Sequence, residues 1–571
     1  MDGDKIRCPC VKWCIKKYIM PNLCERHLIK HGFMPNYYTW SAHGEQIENP
    51  QTFNYPRRRP ARNALNTENE PIWPSHLSES KLSAIVRLLN IKSDNNWSER
   101  GTNETIDYIR SLLPNDNVLP ESYHHMKKLI DDLGLPVMRI DVCKQGCMLF
   151  WRDEIELESC KFCNDPRYNG ICHQRKPNKQ LFYLPLAPRL QRLYASHVMA
   201  SHMTWHAHHR TEHGLMCHPS DGDTWKSFDQ AYPDFSQEVR NVRLGPKSPQ
   251  KNIDVYLQPL IAELKMLWSE GVRTYDVSRG DTFNMNAMLL WTINDFPTYG
   301  MLSGWSTHGI EWLPNLQFLP IDHLYRKDTE HFLKNITVSM HKPTRPNGVD
   351  IWDAILQFEY ATENPKGYPR GYEDYHKWTK KSIFWELPYW GLLLIRHNID
   401  FMHVEKNVFE NIINIVMNVK GKTKDNINSR KDMFLICNRP ELHIDPRESI
   451  NRTSKAVYAL TRSDNKILCD WLKGLKLPDG YASNLSRCFD RSGFKLIGLK
   501  SNDCHVFLER LLPIAFKHLL PKFVWGTLTN LSIFMHDLSS RTLSTSKMQN
   551  LEGEIPVILC NLAKIFPPCF F

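Results

Sequence analysis

The sequence predicts a multidomain chain in which an α/β core is combined with zinc-binding modules and a helical C-terminal domain. Three observations lead to this prediction. Cysteine and histidine are concentrated in blocks at residues 1–45 and 143–172. A helix-like run, YLQPLIAELKMLW, is followed by a strand-like run, MLLWTINDF, between residues 252 and 300. Apolar residues recur at helical spacing between residues 500 and 571. Clustered Cys and His are typical of zinc sites, and apolar periodicity separates helices from strands.

Composition narrows the class of protein. The chain has 571 residues, more than one ordinary domain holds, and 42% of them are apolar. Its formal net charge of +10 suits a polyanion such as DNA. The N-terminus lacks an apolar signal core, and the apolar runs are too short to span a membrane. We therefore expect an intracellular protein without membrane contact, and the charge and the zinc signals favour the nucleus.

The strongest local signal is the pattern Cys143-x3-Cys147-x12-Cys160-x2-Cys163. Two close Cys pairs separated by a short loop can place four thiolates around one tetrahedral zinc ion. Gly146 lies inside the first pair, which fits a tight turn. Four protein ligands leave no open position, so the pattern predicts a structural zinc rather than a catalytic one.

A second candidate zinc site lies in the N-terminal block. Its spacing is compatible with a C2H2 arrangement of Cys10, Cys14, His27 and His31. Cys8, Cys24 and His43 are competing ligands, and a small helical domain with surface histidines would also explain the pattern. Seven histidines between residues 197 and 218 lack convincing partner carboxylates, so we interpret most of them as surface or core residues.

Residues 46–80 are polar and rich in proline, which is typical of a linker. Within it lie four arginines, Arg57, Arg58, Arg59 and Arg62. Such a run can serve as a nuclear localisation signal or bind DNA phosphates. A solvated run of charges without a partner is an equally simple interpretation.

Several long strings resemble one family, the plant CACTA (En/Spm-type) DNA transposases. CPCVKWC and HLIKHGFMPNYYTWSAHGE resemble the transposase-associated domain at the N-terminus of that family. DVCKQGCMLFWRDEIELESCKFCNDPRY resembles its zinc-binding pairs, and MLLWTINDFPTYGMLSGWSTHG and HNIDFMHVEKNVFENIINIVMNVKGKTKDN are similar to its core. SNDCHVFLERLLPIAFKHLLPKFVWGTL resembles the helical domain that follows. The similarity extends over nearly the whole chain and keeps the order of the family.

The resemblance implies a domain organisation and a fold. It implies a transposase-associated zinc-binding domain at 1–45, the linker at 46–80, an N-terminal transposase part at 81–245, the remaining core at 246–440 and a helical domain at 441–571. The core implied is ribonuclease-H-like, a mixed sheet flanked by helices. In the N-terminal block the resemblance disfavours His31 and favours His27 with Cys8, Cys10 or Cys14. The implied partners are transposon-end DNA and other transposase copies.

The resemblance also implies metal-dependent DNA cleavage and strand transfer, in which three acidic residues hold two Mg²⁺ or Mn²⁺ ions. Asp295, in WTINDFP, is the candidate for the second acid. Glu405, in FMHVEKN, is the candidate for the third, with Asp400 as its rival. Each of these acids also suits a helix cap or a solvated charge.

The sequence departs from the family where the first acid is expected. Gly245 runs directly into Pro246, so the strand that carries that acid in the family is missing. Asp254, shortly after the junction, is expected to cap a helix rather than to replace it. A further Cys pair is absent after GWSTHG, and the chain ends inside the helical domain. We therefore expect an internally deleted, truncated copy that is catalytically defective, with Mg²⁺ or Mn²⁺ relevant only if it is active.

Three hypotheses remain at this stage. The chain is an active transposase, a non-catalytic relic that binds DNA or protein through its zinc modules, or a product that does not fold stably. The third would follow if a lost central strand left sheet edges unpaired.

Overall fold

The structure is a computed structural model. It describes Ile6, Arg7, Tyr18, Ile19, Cys24 and residues 71–73, 81–94, 97–133, 136–169, 175–244, 253–306, 315–330, 332, 337–364, 367–444, 454–477, 485, 488–490, 495–567 and 570. Two compact units are present. One comprises Met1–Arg139 and Phe182–Arg189, and the other comprises Ile140–Leu181 and Leu190–Phe571. Over these described ranges, no helix is both long enough and apolar enough to cross a membrane.

The strands are short and pair mostly two by two. In chain order they are β1 (Ile6–Arg7), β2 (Tyr18–Ile19), β3 (Met138–Val142), β4 (Leu149–Phe150), β5 (Tyr168–Asn169), β6 (Lys176–Pro177), β7 (Gln180–Tyr183), β8 (Leu215–Met216), β9 (Val242–Leu244), β10 (Val272–Asp276), β11 (Asp281–Met285), β12 (Ala287–Leu289), β13 (Thr292–Asn294), β14 (His397–Ile399), β15 (Phe489–Asp490), β16 (Lys495–Leu496) and β17 (Leu543–Ser544). One sheet has three strands, in the order β4-β3-β7.

Helices account for most of the remaining regular structure. They are α1 (Lys81–Asp94), α2 (Glu99–Leu112), α3 (Tyr123–Leu133), α4 (Leu186–Tyr194), α5 (Trp205–His208), α6 (Asp223–Ala231), α7 (Pro233–Gln237), α8 (Ile253–Ser269), α9 (Phe296–Ser303), α10 (Gly348–Ile355), α11 (Phe401–Val416), α12 (Ile427–Ile436), α13 (Arg462–Gly474), α14 (Ser501–Val506), α15 (Leu512–Phe516), α16 (Lys522–Leu538) and α17 (Thr545–Ile565). A π-helical turn, Phe507–Leu511, joins α14 to α15. The chain is therefore of mixed α/β type, as the sequence predicts.

In the described part of the first unit, the helices α1, α2 and α3 pack together. Ile85 of α1, Ile106 of α2 and Met126 of α3 are fully buried and form one apolar cluster. Ser98 caps α2 by accepting a hydrogen bond from the Gly101 amide at 3.0 Å. The apolar residues of these three helices thus meet in one small core.

The central strands of the second unit follow one another along the chain from β10 to β13. β10 and β11 form an antiparallel hairpin. β12 pairs in parallel with β9, and β13 pairs in parallel with β14. The single strand expected from MLLWTINDF is divided between β12 and β13 at residues 290–291. Two separate parallel pairings thus bring strand ends from distant parts of the chain together.

The largest core of the second unit is helical. The apolar face of α11 is buried, with Phe409, Ile412, Ile413 and Val416 at most 3% exposed. Phe409 contacts Phe507 with ring centroids 5.0 Å apart. The burial of four large apolar side chains on one helix contributes on the order of 6–12 kcal/mol. This packing fixes α11 against the π-helical turn and α14.

The π-helical turn has a local cause in the sequence. Pro513 has no amide hydrogen for a helical bond to the Glu509 carbonyl, and its ring crowds that carbonyl. The buried hydroxyl of Ser532, on α16, lies 2.7 Å from the Leu508 carbonyl oxygen and 3.1 Å from that of Glu509. The Ser532 hydroxyl thus supplies a hydrogen-bond donor to the carbonyl groups that the helix backbone leaves without one.

Candidate functional site

The four cysteines predicted to bind zinc lie together. The sulfur atoms of Cys143, Cys147, Cys160 and Cys163 are all within 4.8 Å of one another, and Cys143 and Cys163 are 3.3 Å apart. Zinc–sulfur bonds of about 2.3 Å in a tetrahedron require sulfurs separated by about 3.8 Å. The observed spacing therefore fits one ion with small adjustments. The cluster is a buried four-cysteine group able to hold a metal ion.

Two turns position these thiols. In the first, the Gly146 amide donates to the Cys143 carbonyl at 2.7 Å, and Gly146 has a φ of 75°, which favours glycine. In the second, the Asn164 amide donates to the Cys160 carbonyl at 2.8 Å, with Asn164 at a φ of 61°. Asparagine tolerates this left-handed region better than most residues. Each turn thus directs its two sulfur atoms to the same point.

The thiols influence one another electrostatically. Burial raises the pKa of Cys163, and burial together with the charge of Cys143 raises that of Cys147. At Cys143 burial acts in the same direction, but hydrogen bonds from the Cys147 amide and the Cys163 thiol outweigh it and lower the pKa. A metal ion would hold all four as thiolates.

For the N-terminal candidate ligands and the arginine run, the structure gives almost no information. Cys10, Cys14, His27 and His31, and the arginines Arg57, Arg58, Arg59 and Arg62, lie outside the described residues. Of the competing ligands only Cys24 is described, and it is buried. Their assignment to zinc and to DNA stays a prediction.

Asp295 lies where a parallel strand ends and a helix begins. It follows β13 and caps α9, because its Oδ1 accepts the Thr298 amide hydrogen bond at 2.9 Å. Asp295 therefore follows a strand and caps a helix, and its role as a catalytic acid stays a prediction. His403 Nε2 lies 4.0 Å from Asp295 Oδ2. One carboxylate oxygen is thus used by the helix, and the other faces the first turn of α11.

Asp400 is the neighbour of Asp295 across the β13–β14 pairing. The Asp400 amide donates to the Asn294 carbonyl at 2.6 Å, so the two aspartates follow adjacent strands in register. Carboxyl ends of parallel strands are the usual place for polar functional groups in α/β sheets. The rival candidate for the third acid therefore lies beside the candidate for the second.

Glu405 lies among different residues. It is fully buried, and its Oε2 is 2.7 Å from His505 Nδ1. His505 Nδ1 is also 3.4 Å from Glu509 Oε1. Burial, followed by the negative charge of Glu509, raises the pKa of Glu405 to about 8. The structure thus groups Glu405 with side chains of α14 and the π-helical turn, and its catalytic role stays a prediction.

Sequence reasoning missed His505 and Glu509. They are separated by four residues, which places them on one helix face, and Pro513 marks the local distortion. Their relation to Glu405, 100 residues away, depends on tertiary packing that no local pattern reveals.

Asp254 was expected to cap a helix, but both its carboxylate oxygens bind a distant segment. Oδ1 accepts from the Ile383 amide at 3.0 Å, and Oδ2 forms an ion pair with Lys380. Asp254 is 1% exposed. This buried ion pair ties α8 to residues 380–383. Residues 245–252, which contain the junction where the first acid is expected, lie outside the described residues.

The histidine-rich stretch contributes one small group. His209, Cys217 and Asp221 could share an ion by distance. However, Asp221 Oδ2 already accepts the amide hydrogen bonds of Cys217 and His218 at 2.9 and 3.0 Å. His209 stacks on Trp205 with centroids 4.1 Å apart. These contacts give the group a structural explanation.

An aromatic cleft of about 540 Å³ adjoins the strand end that carries Asp400. Its lining includes Tyr299 of α9, residues 397–399 of β14, and the tryptophans Trp305, Trp378, Trp385 and Trp390. Trp305 and Trp378 meet edge to face at 4.9 Å. We call this the tryptophan cleft.

Arg396 contributes positive charge to the tryptophan cleft. It lies 5.7 Å from the Trp385 ring centroid and donates to the Leu393 carbonyl at 2.8 Å. Within the described part of the chain no ion pair of Arg396 with a carboxylate is seen. Burial lowers the pKa of Arg396. An arginine side chain nevertheless keeps its positive charge in proteins. The cleft therefore combines flat aromatic surfaces with a cation for which the described residues supply no carboxylate counterion.

Comparison with known protein families gives two matches. Residues 1–45 match the family model of the transposase-associated domain, and residues 244–329 match that of the transposase family tnp2. The second match contains Asp295. No curated protein and no solved structure matches the chain. The two family matches support a transposase.

Proposed function

We propose that this chain is a DNA-binding protein of the plant CACTA (En/Spm) transposase type whose strand-transfer centre is incomplete. The observation that carries the proposal is the order of the two family matches, a transposase-associated domain at 1–45 followed by a tnp2 segment at 244–329. The parallel pairings β9–β12 and β13–β14 are compatible with part of a ribonuclease-H-like sheet.

The acidic residues support a defective centre. Two-metal strand transfer needs several carboxylates around both ions. Asp295 and Asp400 follow adjacent parallel strands, whereas Glu405 pairs with His505. Asp254 is engaged by Lys380. The acids that the structure describes at the strand ends therefore do not make up a two-metal site, and we derive no cleavage step. For the third position the geometry favours Asp400 over Glu405.

DNA binding is assigned to two parts of the chain. The arginines at 57, 58, 59 and 62 supply charge for phosphates, and they are also candidates for nuclear import, which the proposal requires. The tryptophan cleft offers stacking surfaces for unpaired bases beside the strand ends. Zinc at the four-cysteine cluster supports the fold, because a closed site has no position for substrate.

Binding is tested with the full chain and fluorescent transposon-end DNA, as duplex and with a single-stranded tail, over a range of salt concentrations. Replacing Arg57, Arg58, Arg59 and Arg62 by Ala should reduce the logarithmic salt slope by up to about 4, since each lost phosphate contact removes about 0.9. Trp305→Ala should weaken binding of the tailed DNA by roughly tenfold, since stacking on one base contributes about 1–3 kcal/mol. Tyr375→Ala is the control, since Tyr375 is 90% exposed and lies outside the cleft. If the fourfold arginine variant binds DNA with the affinity and salt dependence of the wild type, the arginine run does not bind DNA.

Cleavage is tested with the same DNA and Mg²⁺ or Mn²⁺. We expect no cutting above background. Cutting by the purified chain that Asp295→Ala abolishes would overturn the proposed defect and show that the centre is complete.

A further inference from the structure

A second group of potential metal ligands lies where α11 packs on α14 and the π-helical turn, separate from the four cysteines. Glu405 of α11, His505 of α14 and Glu509 of the π-helical turn each offer one ligand atom, and these atoms lie within 4.8 Å of one another. His505 Nδ1 is central, at 2.7 Å from Glu405 Oε2 and 3.4 Å from Glu509 Oε1. An ion with bonds of about 2.0–2.1 Å would separate tetrahedral ligands by about 3.3–3.4 Å.

Charge balance and burial make this group different from an ordinary surface cluster. Glu405 is 0% exposed and Glu509 is 7% exposed. Glu405 Oε1 and Glu509 Oε1 accept no hydrogen bond from the described residues. The ion pairs shown for these two carboxylates are with His505 and His536, the latter at 3.5 Å from Glu509 Oε2. Two buried carboxylates facing one another are costly unless one of them binds a proton or a cation compensates both charges.

The local fold directs the ligands to one point. The π-helical turn, imposed by Pro513, widens the helix where Glu509 is located and leaves it on the same face as His505. α11 is fixed against this turn by the Phe409–Phe507 contact. Such turns occur often at functional sites. The group is therefore held in place by core packing rather than by flexible surface side chains.

We propose that Glu405, His505 and Glu509 bind a divalent first-row transition metal ion, with zinc as the first candidate. An imidazole nitrogen disfavours Mg²⁺ and Ca²⁺, which prefer all-oxygen ligands. When His505 binds through Nδ1, its remaining ring proton is on Nε2. His536 contacts the other oxygen of Glu509 and orients that carboxylate. Three protein ligands leave one position for water or another ligand. The inference does not depend on DNA binding.

The test compares the metal content of the full chain with that of the double variant Glu405→Gln/Glu509→Gln. Each protein is stripped, dialysed against Zn²⁺ and measured by elemental mass spectrometry. We expect the double variant to bind one zinc fewer than the wild type. Glu410→Gln is the matched control, because Glu410 is exposed on the same helix, and it should bind as much zinc as the wild type. Equal zinc content in the wild type and the double variant overturns the proposal.

Cobalt distinguishes this site from the four cysteines. In the double variant, Co²⁺ at the cysteines should keep its thiolate-to-metal charge-transfer absorption, and only the visible bands of the nitrogen and oxygen site should disappear. If the double variant also loses the charge-transfer band, the protein has unfolded, and the single variant Glu509→His is measured instead. This variant keeps Glu405 and replaces the Glu509 carboxylate by an imidazole, which is also a metal ligand. Retention of the extra ion by it supports the site, and loss of the ion with an intact charge-transfer band overturns it.

Discussion

Replacing Cys160 by Ser should remove the metal from the four-cysteine cluster and unfold its two turns. Cys160 is 1% exposed and lies within 4.8 Å of the other three sulfurs. A serine hydroxyl is a poor zinc ligand, so the remaining three thiolates would be left without a closed tetrahedron. Serine has nearly the same volume as cysteine, so the substitution removes the metal ligand without leaving a large cavity.

The expected size of the effect follows from what surrounds the sulfurs. Besides the cysteines, the buried cluster consists of Met148 and Phe150, at 4% and 2% exposure. Burial of these two side chains contributes about 3–6 kcal/mol together. Structural zinc contributes on the order of 10–16 kcal/mol in small zinc modules at neutral pH. The metal should therefore dominate, and Met148→Ala should cost only about 2–5 kcal/mol and keep the ion.

The assay is hydrogen exchange of peptides that cover residues 138–169, together with zinc content. Cys160→Ser should lose one zinc and all slow exchange in this region, whereas Met148→Ala should keep the zinc. Cys469→Ser is the control, since Cys469 is equally buried at 2% exposure but belongs to no metal group among the described residues. If Cys160→Ser loses its zinc while exchange stays slow, the fold does not depend on the ion. Other contacts, such as the Arg167–Asp141 ion pair at 2.8 Å, would then hold it.

Three further predictions concern the region around the strand ends. Asp295→Ala should lower the free energy of unfolding by about 1 kcal/mol in thermal unfolding, because the hydrogen bond from the Thr298 amide to the capping carboxylate is lost. Asp295→Asn should keep this hydrogen bond, and an equal loss of stability in both variants would refute the capping role. Gly304→Ala should destabilise more than Gly421→Ala in the same assay. Both glycines have positive φ, of 82° and 79°, but only at Gly304 would a Cβ collide with a backbone carbonyl. Burial and nearby positive charges lower the pKa of His397 to about 3. The unfolded state therefore binds a proton below pH 6.5 that the folded state does not, and stability should fall as pH drops from about 6.5 towards 3. Between pH 6.5 and 3, the free energy of unfolding should fall less steeply in His397→Gln than in the wild type. Identical pH dependence in the two proteins would show that His397 does not cause the loss of stability.

Local patterns predicted the elements that depend on local physics. The four cysteines converge because each close pair occupies a turn, and that turn is visible in the sequence at Gly146 and Asn164. The amphipathic helix Phe401–Val416 follows from apolar spacing alone. Asp295 was placed correctly at the end of a strand-like run.

Residue partnerships over long sequence distances could not be predicted. The ion pair of Asp254 with Lys380 joins residues 126 positions apart, and the contact of Glu405 with His505 joins residues 100 apart. Nothing in the periodicity of either segment indicates which distant face it will meet. From sequence alone, an acidic residue at the start of a helix is therefore interpreted as a helix cap, even where tertiary packing gives it a buried partner.

The geometry of α11 directs His403 and Glu405 to different sides of the helix. His403, in its first turn, lies 4.0 Å from Asp295. Residues two apart on an α-helix point about 200° apart, because each residue turns the helix by about 100°. Glu405 therefore projects to the opposite face, where it meets His505. Rotating the helix to bring Glu405 to Asp295 would expose the apolar face that packs on Phe507. Asp400, which precedes the helix, follows β14 directly, so an acidic pair of Asp295 and Asp400 at this edge is compatible with the packing without such a rotation.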